Sequence, residues 1–176
     1  MSKRSLLALT FGLAGFWIIV DQATKFWAET TLAGKPRIPL LGDWFGLVLV
    51  YNPGAAFGIG TGFIWILTVI AGVAAVGLAV LAFRVSSTLW AIVVGSMLGG
   101  AISHFFDRLL RGEELGSGKI IDFLDYGGFF VGNIADIALV GAAIGAVLLS
   151  MLGRPFSEPE RPTPGRSPST PSDRRS

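Results

Sequence analysis

The sequence predicts an all-α membrane protein: four transmembrane helices with a small extracytoplasmic β-structure between helices 1 and 2. Two stretches without charge, Gly62 to Phe83 and Val85 to Phe106, are the first ground, since about 20 apolar residues cross a bilayer core. Composition is the second: of 176 residues, 52% are hydrophobic and only 15% charged, where soluble domains average about 25% charged, and the mean hydropathy is +0.64. The third is the segment between the first two spans, where Pro36, Pro39 and Gly42 break helix and "WFGLVLVY" favours extended structure.

The first span runs from Ser5 to Val20 and continues through Asp21 to about Ala28. Lys3 and Arg4 ahead of an apolar run also suit a signal peptide, but the run leads into "VDQATKFW" with no small-x-small cleavage site, so an uncleaved span is expected. The strand that follows is apolar on both faces, which suits a membrane surface, and Trp27, Trp44 and Trp65 fall near one depth as an aromatic belt does. An ordered loop with interfacial anchors explains the same residues. Arg84 separates spans two and three, and Asn133 to Leu152 forms the fourth. The membrane domain is therefore residues 1–152. Residues 153–176, with six of the nine prolines and several arginines, read as a disordered cytoplasmic tail.

Cysteine is absent, which excludes disulfides, thiol nucleophiles and cysteine-bound metal. Nine of the twelve acids (Asp21, Glu29, Asp43, Asp107, Glu113, Glu114, Asp122, Asp125 and Asp136) fall at one end of the spans. Lys3, Arg4, Arg84 and Arg154 occupy the other end, with no acid until Glu158. By the positive-inside rule the basic end is cytoplasmic, and both termini lie inside.

The acidic end gathers a polar layer. Span one ends in "DQATK", where Asp21 and Lys25 are i, i+4 neighbours. Span three ends in "HFFDRLLRG", with His104 and Asp107 on one face and Arg108 beside them. "NPGAAFG", whose Pro53 and Gly54 suit a type II turn, precedes span two, and "KIIDFLDY" carries Asp122 and Asp125. Helix-ending ion pairs account equally for Asp21 with Lys25 and for Asp107 with Arg108. Asp43 and Asp125 read as solvated loop residues, and Asn133 as a cap of the fourth helix. Asp136 resists such explanations. No cation lies within ten residues of it, and a carboxylate at the edge of a membrane helix is costly without a partner or a task.

Several chemistries compete for this layer. Ser103 beside His104 is no dyad, because adjacent helical residues face apart. One histidine and no cysteine argue against a metal, so neither metal nor cofactor is expected. Two carboxylates sharing a proton fit better: one titrates low and activates water, the other titrates high and protonates a carbonyl. A small proton-coupled transporter would use the same groups, although residues 137–153 carry no charge to continue a path across. A structural polar layer is the third alternative.

The segments "DQATK", "NPGAAFG", "GGAISHFFDR", "IIDFLDY" and "NIADIAL", in this order, resemble the lipoprotein signal peptidases (signal peptidase II), a bacterial family of intramembrane aspartyl proteases. The resemblance covers the chain to about Leu152. It implies four helices in the bacterial cytoplasmic (inner) membrane and a site at the extracytoplasmic surface. It also implies cleavage of prolipoproteins before their diacylglyceryl-modified cysteine. Asp122 and Asp136 would be the catalytic pair. Asn52, Arg108 and Asn133 would orient substrate or dyad, with His104 in the place of a family asparagine. Asp21, Lys25 and Asp107 would hold the architecture. Expected partners are prolipoproteins and membrane lipids, not nucleic acid, for a monomeric protein. Two departures stand out: Ser103–His104 where the family usually has glycine and asparagine, and Gly132 where it usually has phenylalanine. They leave a diverged paralogue of low activity as an alternative. The small residues of "GGAIS" and "GAAFG" are expected to leave room for acyl chains.

Overall fold

The apolar runs become helices whose ends are set by polar caps. In the computed structural model, which describes residues 1–54 and 63–157, α1 spans Lys3–Leu32, α2 Ile64–Ala82, α3 Thr88–Leu110 and α4 Ile134–Met151. All four are long and apolar enough to cross a membrane. Ser2, Ser87 and Asn133 cap α1, α3 and α4, each accepting a hydrogen bond from a first-turn backbone N–H. Helix α1 outruns the expected span because Asp21 and Lys25 find partners inside the protein. Helix α3 starts later than Val85, because Ser87 serves as its cap, and continues through "HFFDRLL".

Helix α3 packs against the other three helices and is the most buried of the four. Glycine makes the approach close. A methyl on Gly95 would lie 2.6 Å from the Thr10 carbonyl oxygen, and one on Gly99 2.7 Å from that of Ala14, so α1 rests on a Gly-x-x-x-Gly face of α3. Gly100 meets α4 in the same way, 2.7 Å from Leu139 Cγ. The gap expected at "GGAIS" is therefore filled by α1 and α4, because in lipid such stripes bring helices together. Residues 55–58 of "GAAFG", and the continuation of the turn at Pro53–Gly54, lie outside the described residues. Val69, Val73, Val76 and Val80 of α2 remain exposed, the face such a helix turns to lipid.

The β-structure is larger than the sequence predicts. Strands β1 (Ile38–Leu41) and β2 (Phe45–Asn52) come from the segment between α1 and α2. Strands β3 (Ile120–Tyr126) and β4 (Phe130–Gly132) come from between α3 and α4. They form one antiparallel sheet in the order β1-β2-β3-β4, with Val50 opposite Asp122 and Asn52 opposite Ile120. Phe123 and Leu124 bury against Ala28 and Leu32, which seats the sheet on the end of α1. Asp125, expected in a solvated loop, is instead 1% exposed within β3. Arg37, just ahead of β1, pairs with it and holds its carboxyl below the ordinary range. Asp43 is exposed in its turn, as expected.

At the opposite end, Lys3 Nζ donates to the Val85 carbonyl (3.0 Å). The Phe156 ring meets Trp90 edge-on at 5.1 Å, so the first residues after α4 pack on the start of α3. The remainder of the expected tail, residues 158–176, lies outside the described residues.

Candidate active site

Asp122 sits mid-strand in β3, where the sheet and the helix ends leave it 3% exposed. A carboxylate so placed needs donors, and two asparagines supply them. Asn133 Nδ2 donates to Oδ1 at 2.7 Å and Asn52 Nδ2 donates to Oδ2 at 3.0 Å. Burial is the main force on its titration and the nearby Asp136 charge adds to it. The two amide donors and Lys25 pull the other way, and the carboxyl ends pushed up to about 6.

Asp136 belongs to a capping box. Asn133 Oδ1 accepts from the Asp136 backbone N–H (3.0 Å), and Asp136 Oδ2 accepts from the Asn133 backbone N–H (2.9 Å). The partner that the sequence could not supply is thus partly the first turn of its own helix, whose dipole also favours an anion. The rest comes from α3. His104 Nε2 stands 3.3 Å from Asn133 Oδ1 and 3.6 Å from Asp136 Oδ1. Because Asn133 Oδ1 accepts from a backbone N–H, the oxygen assignment of this amide is fixed, and His104 must donate from Nε2. Asn133 therefore joins the two aspartates: its NH2 faces Asp122 while its oxygen serves Asp136 and His104.

Asp122, Asp136, Asn52, His104 and Arg108 line one cavity of about 270 Å³, with Leu67, Ile70 and Leu139 as apolar wall. Arg108 donates to the Gly54 carbonyl at 2.6 Å and reaches that of Pro53 at 3.5 Å. It does not pair with Asp107. Neighbours along a helix point about 100° apart, whereas i, i+4 residues share a face, and Asp107 pairs with Arg111 (3.0 Å) and with Lys25 (2.7 Å). His104 and Asp107, expected on one face, divide between two neighbours: i, i+3 residues are offset by about 60° around the helix, so His104 meets Asn133 and Asp136 of α4 while Asp107 meets Lys25 of α1.

Behind the cavity lies a second polar layer. Lys25 Nζ is 2.5 Å from Asp21 Oδ2, and all of Asp21, Lys25 and Asp107 are fully buried. Ser103 Oγ donates to Asp21 Oδ2 at 2.6 Å, and Asp21 Oδ1 accepts from the Ala135 backbone N–H at 2.8 Å. The network thus grips the first turn of α4 one residue before Asp136. Gln22 bridges Ser103 and Asp107, and Arg111 links Asp107 to Glu29. Sequence reasoning gave no role to Gln22, Glu29 or Arg111, and weighed Ser103 only as a nucleophile beside His104 and as a departure from the family pattern. Arg111 was within reach, since Asp107–Arg111 has the i, i+4 spacing that singled out Asp21–Lys25.

The family model described as signal peptidase (SPase) II matches residues 13–152. The lipoprotein signal peptidase of Bifidobacterium adolescentis is 42% identical over 141 residues, 80% of this chain and 75% of that protein. That of Bifidobacterium longum is 38% identical over 154 residues, 88% of this chain and 84% of that protein. A solved structure described as a bacterial membrane enzyme, determined by the in meso method at 2.3 Å, superposes with a TM-score of 0.71. It covers 86% of this chain and 94% of its own at 24% identity, a likeness of fold. With the match running through α1 to α4 and the sheet between them, the chain belongs to the signal peptidase II family, the lipoprotein signal peptidases.

Proposed function

We propose that this protein is an intramembrane aspartyl endopeptidase that removes signal peptides from prolipoproteins, cutting before the diacylglyceryl-modified cysteine. The observation that carries the reading is that Asp122 and Asp136 line one cavity and are joined through a single asparagine amide.

The two carboxyls differ in the way acid–base chemistry needs. Asp122, raised to about 6 by burial, holds the proton. Asp136, which accepts a backbone N–H at a helix N-terminus and stands 3.6 Å from His104, takes the part of the base. Asp136 takes a proton from water, whose oxygen bonds to the scissile carbonyl carbon, while Asp122 gives its proton to the carbonyl oxygen. When the tetrahedral carbon collapses, the carbon–nitrogen bond breaks. Asp136 then hands its proton to the leaving amine, and Asp122 recovers one from the hydroxyl. No covalent intermediate forms. Arg108 and Asn52 hold the Gly54 backbone and Asp122 at the rim, where substrate backbone arrives.

In this reading both water and a lipid-bound substrate reach the cavity from the extracytoplasmic membrane surface, and the basic end, with Lys3, Arg4, Arg84 and Arg154 and both termini, is cytoplasmic, which the positive-inside rule supports. The exposed Trp44 and Trp65 suit the interface there. One chain contains every group the mechanism uses, so a monomer suffices, with residues 1–152 as the peptidase domain and 153–176 as a cytoplasmic tail.

The test is cleavage of a diacylglyceryl-modified lipobox peptide by the purified protein in lipid. Asp122→Asn and Asp136→Asn should each lose about a hundredfold or more in turnover while still inserting and folding. Retained turnover in Asp136→Asn would overturn the assignment.

A further inference from the structure

Three cavities meet at the site. The first holds both aspartates. A second, of about 310 Å³, runs along β2 and the β3–β4 turn and shares Asn52 and Asp122 with it. A third, of about 450 Å³, is an apolar groove down α4 past Ile137, Val140 and Ile144, and shares Asp136. Among the described residues lining them, Phe130 alone borders all three. Its ring stands where the cavities join.

Gly132 is what lets the ring stand there. A methyl at Gly132 would come 2.7 Å from Phe130 Cε1 and 3.0 Å from Asp136 Oδ2. The bare Cα of Gly132 therefore leaves room for both the edge of the Phe130 ring and the Asp136 carboxylate. The other side of the ring is backed by Tyr126, stacked at 6.0 Å and 24°, which itself rests on Phe45 at 5.5 Å. The ring thus stands in a row of aromatic neighbours along the sheet.

We propose that Phe130, beside Gly132, is a specificity-determining residue that limits the size of the substrate side chain beside the scissile bond. The proposal rests on the reading of Asp122 and Asp136 as the peptidase dyad. A scissile carbonyl has to lie between those two carboxylates, and the chain leading to it must run from one neighbouring cavity toward the other. Whichever way it runs, a residue flanking the bond passes the Phe130 ring. Small side chains clear it; a branched or aromatic one meets the ring edge.

Three diacylglyceryl-modified lipobox peptides, identical except for alanine, valine or phenylalanine just before the modified cysteine, test this. The readout is the ratio of kcat/KM between peptides for the full chain in lipid. The parent should prefer alanine to phenylalanine, and Phe130→Ala should shrink that ratio by about tenfold or more, the scale on which side-chain size is discriminated in a pocket. Gly132→Ala displaces the ring without removing it and should alter the ratio in a protein that keeps its aromatic packing. Unchanged ratios in both variants, each still cutting the alanine peptide, overturn the proposal alone. A parent that cuts none of the three peptides overturns the peptidase reading and this proposal with it.

Discussion

Asp122 is a buried carboxyl with two amide donors and, among the described residues, no cation in contact. Its proton affinity has a consequence for the whole protein. The folded state holds a proton up to about pH 6, whereas the unfolded chain releases it near 3.8. A pKa raised in the folded state contributes stability that is full below the unfolded value and is lost as pH rises through the folded one. The interval from 3.8 to about 6 corresponds to on the order of 3 kcal/mol. The thermal midpoint in detergent should therefore fall between about pH 4 and about pH 7, and Asp122→Asn should flatten that part of the curve. An equal slope in the variant would show that another group is the source. Of the two aspartates, Asp136 was legible without a family resemblance, because no cation near it in sequence could neutralise it. Asp122 stands three residues after Lys119, so sequence spacing alone offers it an ordinary ion pair. In extended chain, residues three apart face opposite sides, and Lys119 is exposed while Asp122 is buried.

The helices were legible as elements because membrane-length apolar runs leave little alternative. Half of the sheet was not. "KIIDFLDY" is apolar on both faces, so it shows no period of two, and its partner β2 lies some seventy residues earlier. Strand pairing over that distance leaves no local signal. The small residues of α3 were noticed but given the wrong task, since sequence cannot tell an open groove from a helix contact. The contact makes its own prediction. Gly99→Ala places a methyl 2.7 Å from the Ala14 carbonyl oxygen and 2.8 Å from Trp17 Cβ. Overpacking of this kind costs about 1–3 kcal/mol. Gly77→Ala in α2 meets nothing within 4 Å and should gain up to about 1 kcal/mol of helix propensity. Chemical denaturation in mixed micelles would compare the two, and equal stabilities would remove the close-packing account of α3.

At the scale of the molecule, charge is divided by depth. Among the described residues, every carboxylate lies at the sheet end, and Lys3, Arg4, Arg84 and Arg154 hold the other. Concentrating acids around one cavity requires cations to be built in beside them, and Lys25 is the deepest of these. It is fully buried between Asp21 and Asp107, on α1 and α3, while Asp21 also holds the Ala135 backbone N–H of α4. One ammonium thus ties three helices at the level where Asp136 leaves α4. Lys25→Met would leave two buried carboxylates with Arg111, Gln22, Ser103 and the Ala135 backbone N–H as their remaining donors among the described residues. Breaking a buried pair in this way costs about 3–5 kcal/mol, because the orphaned charge stays in a low dielectric. The double variant Lys25→Met/Asp21→Asn removes one of those charges while keeping the shape of the side chain. It should be more stable than Lys25→Met alone, an inversion of the usual additive loss. Denaturation midpoints of the parent, both single variants and the double would decide it. Losses that simply add would mean that Lys25 and Asp21 act independently, and that the layer beneath Asp122 and Asp136 is not a single electrostatic unit.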